Sequence, residues 1–158
     1  MPNDRPSVRR ARMADRPALD GVMRRASLAV ETGEVLRTLM EEPAYLRVDS
    51  QLVENGHVLV AEIDLVPVGF ASFMLAGNEF AELDGMFVDP PHWRKGVGRL
   101  LLTAIERELV SRQASGIRVV AGESAVAFYQ MVGFSIIGEE KTPLGLIAPV
   151  MLKLLAFD

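Results

Sequence analysis

The stretch Phe87-Val88-Asp89-Pro90-Pro91-His92-Trp93-Arg94-Lys95-Gly96-Val97-Gly98-Arg99-Leu100-Leu101-Leu102 decides how the rest of the chain is read. An apolar strand ends in it and a helix begins in it. The double proline stops the strand, because a proline has no N–H to give to a ladder. Two glycines then bare the backbone where the first N–H groups of the helix have no intrahelical partner, and Arg94 and Lys95 add adjacent cations. A helix N-terminus carries roughly half a positive charge and several free donors, so the pattern suits an anion, a phosphate above all. A tight strand-to-helix turn with no ligand is the plain alternative.

Downstream, Val97 to Gln113 carries the strongest helical period in the chain, with Gly98, Leu101, Leu102, Ile105 and Leu109 on one stripe and charged or polar residues opposite. Ser115-Gly116 ends it, and Ile117 to Ala121 reads as a short buried strand. Upstream, His57–Glu62, Pro67–Leu75 and Glu79–Val88 alternate with period two and are separated by turns near Ile63-Asp64 and at Ala76-Gly77-Asn78, which predicts an antiparallel meander. Strand, long helix and strand from Leu83 to Ala121 form a crossover, so those two strands run parallel. The sheet is therefore expected to be mixed and mostly antiparallel, with six to seven strands flanked by about four helices.

Further out, Val8–Met13 is expected as a first strand, followed by a helix from Arg16 to about Ala29 that Asp15 caps and that turns Leu19, Val22, Met23 and Ala26 inward. Weaker helical patterns lie around Glu34–Met40 and Tyr45–Val53. After the crossover, Ser124–Val132 reads as a helix ended by Gly133, and Phe134–Gly138 and Leu146–Leu155 as two closing strands. At 158 residues, the expectation is one domain over the whole chain, with residues 1–7 as a flexible N-terminus. The apolar segment Leu146–Leu152 would serve a homodimer if its strand lay at a sheet edge.

Composition removes several function classes. The net charge is −4, from 17 basic and 21 acidic residues, which argues against nucleic acid as the main partner. Without cysteine there is no thiol nucleophile and no zinc knuckle. Two histidines, with no carboxylate at ligand spacing, do not compose a metal site. No apolar run reaches the ~18 residues of a membrane span, and no signal-peptide core precedes the domain, so a cytoplasmic protein is expected. A dinucleotide-binding fingerprint needs a third glycine where Leu101 stands, and a P-loop needs Gly-Lys-Ser/Thr, whereas Lys95 precedes Gly96. Gly122-Glu123-Ser124 lacks the second glycine of a nucleophile elbow.

Two further groups bear on chemistry. Ala125, Phe128, Tyr129 and Val132 share a helix face, which points Tyr129 at the sheet, where its hydroxyl needs a partner or a cavity. Glu82 and Asp84 stand two apart on a strand and so share a face, whether as a functional pair or as a solvated edge.

In this order and spacing, Glu82-Leu83-Asp84-Gly85-Met86-Phe87-Val88, Arg94-Lys95-Gly96-Val97-Gly98-Arg99-Leu100-Leu101, Ala125-Val126-Ala127-Phe128-Tyr129 and Gly133-Phe134 resemble the GNAT superfamily of N-acetyltransferases. The resemblance covers roughly the C-terminal half, and two positions depart from it. Trp93 stands where the family usually has Gln or Arg, and Gly122 where it usually has Asn.

The resemblance implies an α/β fold of GNAT type and an N-acetyltransferase that uses acetyl-CoA as cosubstrate, without a metal. It assigns the pyrophosphate to Arg94, Lys95, Gly96, Val97, Gly98 and Arg99, and main-chain pairing with the pantetheine arm to Phe87 and Val88. A primary amine, of a small molecule or an amino group, would attack the thioester directly in a ternary complex, which needs no enzyme nucleophile. Glu82 would act as base, with Asp84 in reserve, and Tyr129 as the acid that protonates the departing thiolate. The acidic residues Glu31, Glu34, Glu41 and Glu42 would favour a cationic amine, and the Lys141–Gly145 loop would close the site. The alternative of a different class is a non-catalytic acyl-CoA sensor or partner module of the same fold.

Overall fold

The computed structural model describes residues 4–75, 77 and 79–156. Its α-helices and strands follow the order β1 (Ser7–Arg10), α1 (Arg16–Val30), α2 (Gly33–Glu41), α3 (Ser50–Glu54), β2 (Val58–Ile63), β3 (Val66–Leu75), β4 (Phe80–Val88), α4 (Val97–Ser111), β5 (Gly116–Val120), α5 (Val126–Met131), β6 (Ser135–Lys141) and β7 (Ile147–Leu154). The strands are hydrogen-bonded in the order β1-β2-β3-β4-β5-β7-β6. The pairs β1/β2, β2/β3, β5/β7 and β6/β7 are antiparallel, and β4/β5 is parallel. The single crossover through α4 is what makes that pair parallel, since a two-residue turn can only reverse the chain. The mixed α/β architecture expected from the sequence is thus the one observed. Of the turn expected at Ala76-Gly77-Asn78, Ala76 and Asn78 lie outside the described residues.

Between β2 and β3, Asp64 and Leu65 both take positive φ, 50° and 65°, which is the backbone a two-residue hairpin needs to match strand twist. The chain forms two compact units, one of Met1–Ser72 with Gly85–Ile105 and the other of Phe73–Asp84 with Glu106–Asp158.

In the first unit, Leu19 and Val22 of α1, Leu52 and Val53 of α3, Val58 and Val60 of β2 and Phe70 of β3 form a buried cluster, with Met23 and Phe87 packed against it. Each such side chain contributes about 1.5–3 kcal/mol on leaving water. The rings of Phe70 and Phe87 lie 5.4 Å apart. A Cβ on Gly69 would meet Phe87 O at 3.0 Å and Val97 Cγ1 and Leu101 Cδ1 at 3.2 Å. Glycine at that position therefore lets β3 approach both the end of β4 and the start of α4, which fixes the two ends of the segment that joins them.

Three expectations change in this unit. The first strand ends at Arg10, and Met13–Asp15 is a 3-10 turn. Asp15 does not cap α1: its carboxylate accepts from Arg12 N at 2.7 Å and ion-pairs with Arg9, whose Nη1 and Nη2 donate at 2.8 and 2.9 Å. Arg9 Nε also donates to Glu62 at 3.0 Å, and that basic strand outcompetes the helix N–H groups for the carboxylate. The helical stretch expected over Tyr45–Val53 divides into a 3-10 turn, Pro43–Leu46, and α3, because Asp49 restarts the helix by accepting from Gln51 N at 2.8 Å.

In the second unit, Leu109, Ile117, Val119, Tyr129, Phe134 and Met151 are buried. The Arg112 guanidinium lies over the Phe73 ring at 5.5 Å, and Lys153 ion-pairs with Glu106. The final strand β7 pairs with β5 on one side and β6 on the other, so the edge position considered for it belongs to β6.

Candidate active site

The first unit holds the strand-to-helix segment. At the end of β4, Asp89 N donates to Val68 O of β3 at 2.8 Å. Successive residues of an extended strand direct their N–H and C=O to opposite edges, so Phe87 and Asp89 serve the β3 side while Met86 and Val88 serve the other. On that other edge the parallel ladder with β5 runs from Phe80↔Gly116 to Leu83↔Val119 and goes no further. Met86 and Val88 therefore present main-chain groups beyond the end of the ladder. Phe87, by contrast, packs its ring on Phe70 and directs its carbonyl toward Gly69. By that alternation the main-chain groups of Phe87 face β3, and those of its neighbours Met86 and Val88 face away from it.

Asp89 then anchors the turn that follows. Its carbonyl accepts from His92 N at 2.8 Å, and its carboxylate takes a bidentate pair from Arg25 of α1, Nε to Oδ1 and Nη2 to Oδ2, each 2.9 Å. Pro90 O accepts from Trp93 N at 3.1 Å, and the Trp93 indole Nε1–H folds back to donate to Val88 O at 2.6 Å.

Beyond Trp93 the backbone reverses sign twice. Arg94 has φ 61° and Gly96 φ 82°, and the space a Gly96 Cβ would occupy is open. Such left-handed residues turn successive N–H groups to one side, which makes an anion-binding concavity. The first helical bond of α4 that reaches back into the loop is Leu100 N to Gly96 O, at 3.0 Å. The N–H groups of Val97, Gly98 and Arg99 precede it and have no intrahelical acceptor. Arg94, Lys95 and Arg99 are exposed and make no ion pair among the described residues. A strained αL residue costs about 1 kcal/mol or more, and Arg94 holds that geometry at the mouth of the loop.

Also in this unit, Glu34 pairs with Arg37 at 3.3 Å. A depression of about 400 Å³ along α2 is lined by Gly33, Leu36, Arg37, Met40 and Glu41. It combines one cation, one anion and two apolar side chains, so it does not by itself select a cationic amine.

The second unit holds the two residues with assigned proton-transfer roles. Tyr129 is 5% exposed, with its ring edge-on to Phe134 and Phe128 at 5.2 and 5.5 Å. Burial pushes its phenol up to about 12, and among the described residues its hydroxyl has no hydrogen-bond partner. Glu82 faces Arg118 directly across the β4/β5 ladder. Arg118 Nη1 donates to both Glu82 oxygens, at 2.8 and 2.9 Å, and Nη2 donates to Glu140 at 2.9 Å. Its hydrogen bond to Glu82, opposed by burial and reinforced by that to Glu140, raises the guanidinium's pKa above its ordinary value. Asp84 is exposed on the same strand.

Gly122 opens the 3-10 turn Glu123–Ala125 before α5, and a Cβ there would meet nothing. The Lys141–Gly145 loop is a hairpin connection between β6 and β7, held by Thr142 N to Leu146 O and Gly145 N to Thr142 O. Sequence reasoning missed Arg118, Arg25 and the anchoring role of Asp89. A charge between Ile117 and Val119, in an otherwise apolar strand, was the available signal for Arg118. Among the described residues no group of three or more side chains has the makings of a metal site, and no helix is long and apolar enough to cross a membrane.

The fold is shared with a GCN5-related N-acetyltransferase from Rhodopseudomonas palustris, at 21% identity over 98% of this chain and 99% of that one, with a TM-score of 0.79. It is shared too with the PaiA N-acetyltransferase of Thermoplasma acidophilum in complex with coenzyme A, at 19% identity, 95% and 99% coverage and a TM-score of 0.75. A GNAT-family acetyltransferase from Staphylococcus aureus aligns at 16% identity over 96% and 100%, with a TM-score of 0.73. No curated protein matches the sequence. The family profile of the acetyltransferases (GNAT) matches residues 25–134, which include β4, the left-handed loop, α4 and Tyr129, and by that match the chain belongs to the GNAT acetyltransferase family.

Proposed function

We propose that the chain is an N-acetyltransferase that moves an acetyl group from acetyl-CoA to a primary amine of a small molecule or amino group, within one domain. The observation that carries the reading is the loop of Arg94–Arg99. There, unopposed N–H groups and three free cations follow directly on a strand whose Met86 and Val88 edge runs past the end of the ladder with β5, with Val88 O taken by the Trp93 indole. A pyrophosphate with an amide-bearing arm needs those two features in that order. Arg94, Lys95, Gly96, Val97, Gly98 and Arg99 hold the pyrophosphate, and Met86 and Val88 pair with the arm.

In the reaction a neutral amine forms the C–N bond at the thioester carbonyl carbon as the C–S bond breaks, and the amine loses a proton while the thiolate leaves. Glu82 is the base in this reading, with Asp84 in reserve. An ionised carboxylate has about four lone-pair sites, of which Arg118 engages one on each oxygen, so Glu82 keeps capacity for an ammonium or a bridging water. Tyr129 is the acid. A phenol near 12 faces a thiolate whose parent thiol sits near 8.5, so complete transfer is uphill by roughly 5 kcal/mol. Tyr129 therefore acts first as a hydrogen-bond donor to the developing thiolate, and solvent completes the protonation.

The test is acetyl-CoA-dependent thiol release across a panel of amines and peptides, with Tyr129→Phe alongside. The variant is expected to lose about 10²- to 10⁴-fold in kcat with CoA affinity nearly unchanged; wild-type kcat in the variant would remove Tyr129 from the chemistry. One observation favours a second reading, a non-catalytic acyl-CoA-binding module: Arg118 Nη1 donates to both oxygens of Glu82 and so occupies the proposed base. Thermal stabilisation by CoA without turnover on any acceptor selects that reading.

A further inference from the structure

The indole of Trp93 occupies a main-chain acceptor that the proposed cofactor arm needs. Val88 directs its N–H and C=O to the edge of β4 that runs past the end of the parallel ladder, and its carbonyl is already taken by Trp93 Nε1–H at 2.6 Å. Along the same edge, Met86 offers a donor and an acceptor, and Val88 a donor. An arm with two amides presents two N–H groups and two carbonyls, so the covered carbonyl leaves the edge one acceptor short.

Trp93 can leave that position without moving the backbone. The residue is 39% exposed, and its backbone N–H stays bonded to Pro90 O within the turn that Arg25 and Asp89 anchor. We propose that Trp93 is a latch on the cofactor edge: in the unliganded chain its indole caps Val88 O, and the arm of an acyl-CoA displaces it to reach that carbonyl. This rests on the reading of the site as an acyl-CoA site. The latch makes binding of the arm, but not of the nucleotide end, carry the cost of a broken hydrogen bond. It thereby sets cofactor affinity through a residue that contacts neither phosphate nor acyl group.

The chain has a single tryptophan, so the latch reports on itself. In ¹⁵N-labelled protein the one indole N–H resonance should lie downfield and exchange slowly in the free chain, and move upfield with faster exchange when CoA is added. ADP, which has the pyrophosphate but no pantetheine arm, should leave it in place. Trp93→Phe keeps an aromatic ring and removes the donor. It should bind CoA about three- to tenfold more tightly than the wild type, as the net worth of one hydrogen bond dictates, and ADP with unchanged affinity. The readouts separate the two levels of the argument. If CoA raises the melting temperature but leaves the indole resonance unmoved, or if Trp93→Phe binds CoA no more tightly, the latch is wrong and the cofactor site stands. If neither CoA nor ADP binds, the cofactor reading fails and takes the latch with it. The wild-type resonance decides the question even if the variant does not fold.

Discussion

Asp15 stands at the foot of α1, yet its carboxylate serves β1 and the 3-10 turn. Arg9's hydrogen bonds hold it down to about 2 from 3.8, burial opposes them, and the Arg12 N–H adds to the lowering. A carboxylate depressed in the folded state contributes stability that is complete above its unfolded value and lost as pH falls through the folded one. The shift sets a ceiling of about 2 kcal/mol, which solvent screening of a partner whose side chain is 25% exposed brings to about 1 kcal/mol. Asp15→Asn should therefore lower the urea midpoint at neutral pH, and the gap between the two proteins should close between pH 4 and pH 2. A gap that stays constant over that interval would show that the destabilisation comes from lost packing rather than from the ion pair. At this scale the sequence was informative about identity and poor about partners. Tyr129 was legible because helical spacing aims it inward. Arg118 and Glu82 are far apart in the chain, and only the parallel register brings the guanidinium onto the carboxylate. The bond from Trp93 to Val88 spans a short turn, but it depends on a rotamer, which no sequence pattern encodes.

Helix α4 was the most legible element, because its buried residues Leu101, Leu102, Ile105 and Leu109 repeat at the helical period and nothing else in the chain competes for them. The meander was legible for the same reason at period two, while the stretch over Tyr45–Val53 was not, since Asp49 interrupts it with a cap of its own. In the proposed anion site between β4 and α4, φ angles present the N–H groups and the Arg94, Lys95 and Arg99 side chains add charge. Gly96 at φ 82° is in the left-handed region, where any other residue is strained even though the space around it is open. Gly96→Asp adds to that strain a carboxylate beside the N–H groups meant for an anion. Loss of one charge-assisted bond is worth ~1.5–3 kcal/mol, so the variant should bind CoA at least about tenfold more weakly, measured by calorimetry, while the backbone strain lowers the melting temperature of the free chain by about 2–4 °C. Undiminished affinity would mean that the pyrophosphate lies elsewhere. Gly69 offers the complementary case. Its φ is ordinary, but a Cβ there would meet Phe87 O at 3.0 Å, so Gly69→Ala should cost about 1–3 kcal/mol of stability in urea denaturation.

The chain as a whole contains two compact units, and the boundary between them runs through elements rather than through linkers. It falls between Ser72 and Phe73 inside β3, between Asp84 and Gly85 inside β4, and between Ile105 and Glu106 inside α4. Domain boundaries ordinarily lie in exposed, flexible connections that few contacts cross. A cut through the middle of a helix would strand carbonyls and N–H groups of one turn without partners, and a cut through a strand would do the same to a ladder. One cooperative transition is therefore expected, which is what a single domain over residues 1–158 requires. Emission from Trp93, in the first unit, and far-UV circular dichroism, which averages over all helices and strands, should give the same thermal midpoint. CoA at 100 times its dissociation constant should add about 2.7 kcal/mol, which for a chain of this length corresponds to a rise of roughly 5–10 °C. That rise should appear equally in both signals, because a ligand held by the first unit's loop stabilises the second only if the two unfold together. A dichroism transition that stays in place while the Trp93 transition moves would mean that the units melt separately.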